Sequence, residues 1–165
     1  NDFRQIGLVR DPYNFGTTTI STATTLRAVK AIKLASGAGT FQADEKITQA
    51  TTGAIGKVVE YDSTNRILYY QQEKFADFGV ASDGDKIAFS GTNTITGATS
   101  SATGAPDDGA DSAVSLTGGN TITFTNGFAN EEIEPDSGDL MYFETRRPIS
   151  RATDQTEDIK LIIEF

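Results

Sequence analysis

The chain has 165 residues, 37% of them hydrophobic and 9% aromatic, and a formal net charge of −9. That size allows one domain or two very small ones, with about two thirds of the unfolded surface buried on folding. Without cysteine or histidine, disulfides, thiolate chemistry and any Ser-His-Asp or Cys-His triad within the chain are excluded. An acidic chain is also a poor ligand for nucleic acid or for an anionic membrane surface, because phosphates need clustered Lys and Arg. No apolar run approaches the roughly 18 residues of a membrane span.

Thr and Gly are abundant, which favours strands and turns over helices. The chain opens Asn1-Asp2-Phe3 without Met. Phe3 to Val9 already reads as a strand, so a fragment of a longer protein is expected. Asp11-Pro12-Tyr13-Asn14-Phe15-Gly16 follows as a turn. Thr25 to Leu34 fits a strand, and Gly37-Ala38-Gly39 is expected to end it. A meander comes next: Lys46 to Gln49, Lys57 to Asp62, a tight turn at Ser63-Thr64-Asn65, and Arg66 to Gln72. Phe75 to Phe89 adds shorter β pieces around Asp83-Gly84-Asp85. Gly91 to Gly119 has few large apolar residues and reads as a long exposed loop with short strand pieces. Thr121 to Phe124 is a strand closed by Asn126-Gly127. After the acidic turn from Glu131 to Gly138, Leu140 to Phe143 and Ile159 to Phe165 read as two strands joined by an Arg-rich connection. Leu161, Ile163 and Phe165 would share the inward face, and this pair would close the fold. The expected fold is a single mainly-β domain over 1–165. Its antiparallel strands form a sandwich or a small barrel-like arrangement with long polar loops, and 41–90 is a small meander module within it.

Candidate chemistry is thin. Asp107-Asp108-Gly109-Ala110-Asp111 offers hard oxygen ligands but lacks the spacing of an EF-hand loop and reads as a solvated acidic loop. Glu131, Glu132, Glu134 and Asp136 lie on one polar turn, without the opposed, buried placement that paired catalytic carboxylates need. No glycine pattern forms a phosphate cradle. Neither an enzyme activity nor a cofactor or metal is expected. Tyr61, Tyr69, Tyr70 and Tyr142, with Phe75 and Phe78, could stack on sugar rings or serve as core and cross-strand partners. Arg146, Arg147 and Arg151 form a basic cluster in an acidic chain. Arg forks pair bidentately with carboxylates, so the cluster reads either as a contact for an acidic partner or as an exposed hairpin end.

Two stretches carry a family resemblance. Ser137-Gly138-Asp139, the aromatic strand Leu140 to Phe143, Glu144 to Arg151, Gln155-Thr156-Glu157-Asp158 and the aliphatic ending resemble the C-terminal end of the baseplate wedge subunits of T4-like contractile-tailed bacteriophages. Phe3-Arg4-Gln5-Ile6 with Arg10-Asp11-Pro12 is similar to an internal stretch of the same family. The meander, with Glu45, Ile47-Thr48-Gln49, Thr52-Gly53-Ala54 and Gly56-Lys57-Val58-Val59, looks like a β module that recurs in virion proteins of such phages, cyanophages especially. The resemblance implies a structural virion protein of the tail baseplate, assembled in the host cytoplasm. Its partners would be other baseplate or tail proteins and other copies of itself. A tail-associated module that binds host glycans through its aromatics is the alternative. Arg146→Glu combined with Arg147→Glu should leave the fold intact and weaken assembly; a doubly changed protein that binds its virion partners normally would overturn the Arg-contact reading.

Overall fold

The computed structural model describes residues 4–73, 79–109, 111–117 and 119–146. All regular structure among them is β, with every ladder antiparallel. The chain divides into two compact units, one built from 1–11 and 138–165 and the other from 12–137. The second strand expected near the end, Ile159 to Phe165, lies outside the described residues.

The larger unit is a small barrel. Its sheet contains β2 (Lys30–Ala38), β3 (Lys46–Gln49), β4 (Ile55–Asp62), β5 (Ile67–Gln71), β6 (Ile95–Gly97), β7 (Thr103–Pro106) and β10 (Phe128–Ala129). The strand order is β10-β2-β5-β4-β3-β6-β7, and β7 pairs back onto β2, so the circuit from β2 to β7 closes. The fold is therefore barrel-like rather than a sandwich. Strand β2 makes closure possible by dividing its length: Lys30 to Lys33 pair with β5, and Leu34 to Ala38 pair with β7. Bulges at Ala35 on β2 and Val59 on β4 add the local twist that a tight barrel needs.

Alternation then sorts the side chains. Ile32, Leu34, Ile47, Val58, Leu68, Tyr70 and Ile95 fill the barrel, with Phe41, Phe89 and Ala102 joining them from the connections. Each fully buried large side chain contributes about 1.5–3 kcal/mol of transfer free energy. Tyr70 meets Phe89 edge to face at 4.8 Å. The opposite faces of β2 and β5 are also covered. Ala31 and Ile67 pack with Ile122, Phe124 and Ala129 beneath a hairpin of β8 (Ser112–Ser115) and β9 (Thr121–Phe124).

The stretch from Gly91 to Gly119, expected as a long exposed loop with short strand pieces, does hold the short strands β6, β7 and β8, but β6 and β7 close the barrel rather than lying exposed. Small residues are buried there because backbones approach closely, not because they carry apolar area. A Cβ on Gly104 would lie 2.6 Å from Leu34 Cδ1, and one on Gly37 would lie 2.2 Å from the Thr103 carbonyl oxygen. Strand β2 starts at Lys30, later than the expected Thr25, and ends at Ala38, within the expected Gly37-Ala38-Gly39.

Two buried polar side chains staple the connections. Glu45 Oε1 accepts from Gln42 N at 2.7 Å and Ser100 Oγ at 2.7 Å, and Oε2 accepts from Thr99 N at 3.0 Å and Ser100 N at 2.9 Å. Gln49 donates to the Ser90 and Asn93 carbonyls and accepts from Ser90 N and Thr52 Oγ1. The ends of the unit are clamped as well: Tyr13 N donates to Ser137 Oγ at 2.9 Å, Glu134 N to the Tyr13 carbonyl at 2.8 Å and Phe15 N to the Glu132 carbonyl at 2.8 Å.

Burial alone would raise the Glu45 pKa, but the donors from Ser100, Gln42 and Thr99 outweigh it and hold the carboxyl below its ordinary value. Stabilisation of this sign is fully present above the unfolded pKa of about 4.3 and is lost as pH falls through the folded value. Glu45→Gln should therefore cost about 1–3 kcal/mol at pH 7, and urea melts should show the gap to the parent narrowing in acid; an equal gap at both pH values would refute the assignment.

Candidate functional site

Among its described residues, the smaller unit forms a two-stranded ribbon of β1 (Arg4–Arg10) and β11 (Asp139–Arg146). Leu140 to Phe143, expected as one of the two strands that close the fold, lie on β11, where they pair with β1 and stand exposed; the other expected strand lies outside the described residues. Ile6 lies opposite Glu144, Leu8 opposite Tyr142 and Val9 opposite Leu140, with Met141 the extra residue of a bulge. Cross-strand partners share a face, so Ile6, Leu8 and Tyr142 line one side and Val9, Leu140 and Phe143 the other. All of these, with Met141, are between 46% and 63% exposed. Tyr142 Oη donates to Glu144 at 2.9 Å, and Arg10 Nη2 lies 3.0 Å from Asp139 Oδ2 at the ribbon's end. Large apolar side chains exposed on both faces make this pair of strands a candidate interaction surface. Of the basic cluster, Arg146 ends β11 opposite Arg4, while Arg147 and Arg151 lie outside the described residues.

The acidic turn is a structural tie rather than a free charge run. Glu132 Oε2 accepts from Arg27 N at 3.0 Å, with Arg27 Nε 3.7 Å from Oε1, and Glu134 Oε2 accepts from Gly16 N at 2.7 Å. Burial lowers the Arg27 pKa and the Glu132 charge opposes that shift, so the guanidinium stays charged where it braces the turn. Asp83 and Asp111 accept from Asp85 N and Asn126 N, as turn-forming aspartates do. Among the described residues no group of three or more acidic side chains could hold a metal ion.

The tyrosines separate. Tyr70 is core, which removes it as a surface platform; Tyr142 belongs to the ribbon; Phe75 and Phe78 lie outside the described residues. Adjacent residues of a strand point to opposite faces, so Tyr69 points outward. There it borders an open groove of about 460 Å³ with Glu60, Tyr61, Asp62 and Ser63 on one side and Leu116 and Thr117 on the other. Glu60 is its cross-strand partner. Asp62 Oδ1 accepts from Thr64 N at 2.9 Å and Asn65 N at 3.0 Å, and Oδ2 from Asn65 Nδ2 at 2.7 Å. These bonds from Asn65 and Thr64 hold its carboxyl below the usual aspartate value.

Compared with protein-family models, with curated proteins and with solved structures, the chain matches none. Replacing Leu8 and Val9 with Thr, and Met141 and Phe143 with Gln, should leave the cooperative melt of the barrel within about 0.5 kcal/mol of the parent. The same changes should reduce concentration-dependent association in sedimentation velocity; a large loss of barrel stability would show that these side chains serve its folding instead.

Proposed function

We propose that this chain is a structural subunit of the baseplate of a contractile phage tail, and that its β1–β11 ribbon attaches it to neighbouring tail subunits. The exposed apolar ribbon carries this reading. A pair of strands with large apolar side chains on both faces is stabilised when another chain covers those faces or adds a strand to an open edge. The stretches that resemble the wedge family support the tail context, because Phe3 to Pro12 and Asp136 to Arg146 contain the two strands that pair with each other. The role is one of assembly rather than catalysis. The partner is a protein surface with apolar strands, and the basic cluster of the sequence adds a place for its carboxylates.

Co-expression with the other wedge proteins of the same phage tests the proposal. The chain should co-purify with them, and Leu8→Lys combined with Phe143→Lys should abolish co-purification while the melt of the barrel is unchanged. Retention of the doubly changed protein in the complex would overturn the assignment of the ribbon as the attachment site.

A further inference from the structure

The groove beside Tyr69 lies within the larger unit and is independent of the ribbon. Its volume, about 460 Å³, is in the range that receives a small ligand. Its walls are preorganised. The Asp62 carboxylate is fixed by its turn, and Tyr69 packs onto the outer cluster that contains Ile67 and Ile122.

The groups facing the groove are complementary in kind. Tyr69 supplies an aromatic surface and a phenol. Burial raises the phenol's pKa, and the negative charge of Asp62 adds to the effect, so it remains a hydrogen-bond donor at neutral pH. Glu60 is exposed and supplies an acceptor carboxylate. Ser63 and Thr117 supply hydroxyls that donate or accept. An aromatic surface ringed by a donor, an acceptor and adaptable hydroxyls suits a molecule with apolar C–H faces and equatorial hydroxyls. The paired charges of Glu60 and Asp62 disfavour an anion in the same place.

We propose that this groove binds an uncharged hexopyranose unit, with the sugar ring lying against Tyr69 and its hydroxyls bonded to Glu60, Ser63 and Thr117, and that it excludes sialylated or phosphorylated sugars. A virion protein with such a site would touch a saccharide surface as well as its structural neighbours. The site does not depend on the assembly reading, and either can fail alone.

The test is saturation-transfer NMR and titration of the full chain. The probes are neutral oligosaccharides of glucose, galactose, mannose and N-acetylglucosamine, with sialylated and phosphorylated counterparts beside them. At least one neutral probe should bind, and its charged counterpart should bind about tenfold more weakly or not at all. Tyr69→Ala should weaken binding about tenfold, and Tyr69→Phe by only a few fold, since the ring remains. Ser63→Arg, at an exposed turn position, should block the groove with the melt unchanged, which keeps the test decisive if Tyr69→Ala destabilises the outer cluster. Absence of binding by every neutral probe at millimolar concentration would overturn the proposal. So would binding that survives Ser63→Arg, or a preference for the charged sugars.

Discussion

The barrel depends on one strand being hydrogen-bonded along both edges by different partners. Strand β2 gives its first half to β5 and its second half to β7, and without that division the sheet would keep two open edges. Its two faces are equally committed. Ile32 and Leu34 point into the barrel while Ala31 meets the β8–β9 hairpin. A strand used on both edges and both faces has little freedom of register, because a slip by one residue would exchange the inward and outward sets.

Closure on this scale is a matter of backbone distance as much as of apolar area. A small barrel leaves room for one layer of side chains, so where Leu34 enters, the facing strand must be glycine. The polar staples answer the same constraint. Glu45 and Gln49 satisfy backbone groups in the connections beside β3, groups that would otherwise be buried without partners. The carboxylate of Glu45 sits so close to Gly97 that a Cβ there would lie 2.6 Å from Oε1. Glu45 and Gly97 are therefore interdependent, because the glycine leaves the space that the acid occupies.

How much of this is legible in the sequence follows from which physical signal each element carries. Strands β3 and β9 match their expected bounds because Ile47 with Gln49, and Ile122 with Phe124, alternate against exposed Thr and Lys. The β character as a whole is equally legible in the Thr, Gly and β-branched residues. Strand β7 is not, because Thr103 to Pro106 is buried through close approach, which leaves no hydrophobic pattern to read, and β6, with the single large apolar residue Ile95, is too short to show one. The ribbon is half legible. Leu140 to Phe143 is recognisably a strand, but its pairing with β1, far away in sequence, leaves no local signal to read; the expected pairing with Ile159 to Phe165 falls outside the described residues. Period-two alternation separates Tyr69 from Tyr70 on the sequence alone, since two neighbours in a strand cannot both face water. The roles of Arg147 and Arg151 rest on charge alone and fall outside the described residues.

The clamp at Tyr13 and Ser137 has a bearing on chain entropy. Strands β1 and β11 are separated in sequence by the whole of the larger unit, and for a flexible connection the cost of bringing its ends together grows with its length, by about 0.6 kcal/mol per doubling. Hydrogen bonds from Tyr13 to Ser137 and from Glu134 to Tyr13 hold the ends of that unit at the spacing of a hairpin turn. Once the barrel has folded, the two strands meet as though joined by a short loop. A closed module of this kind can be carried in the turn of a hairpin at small conformational expense, whatever lies on the hairpin's other side.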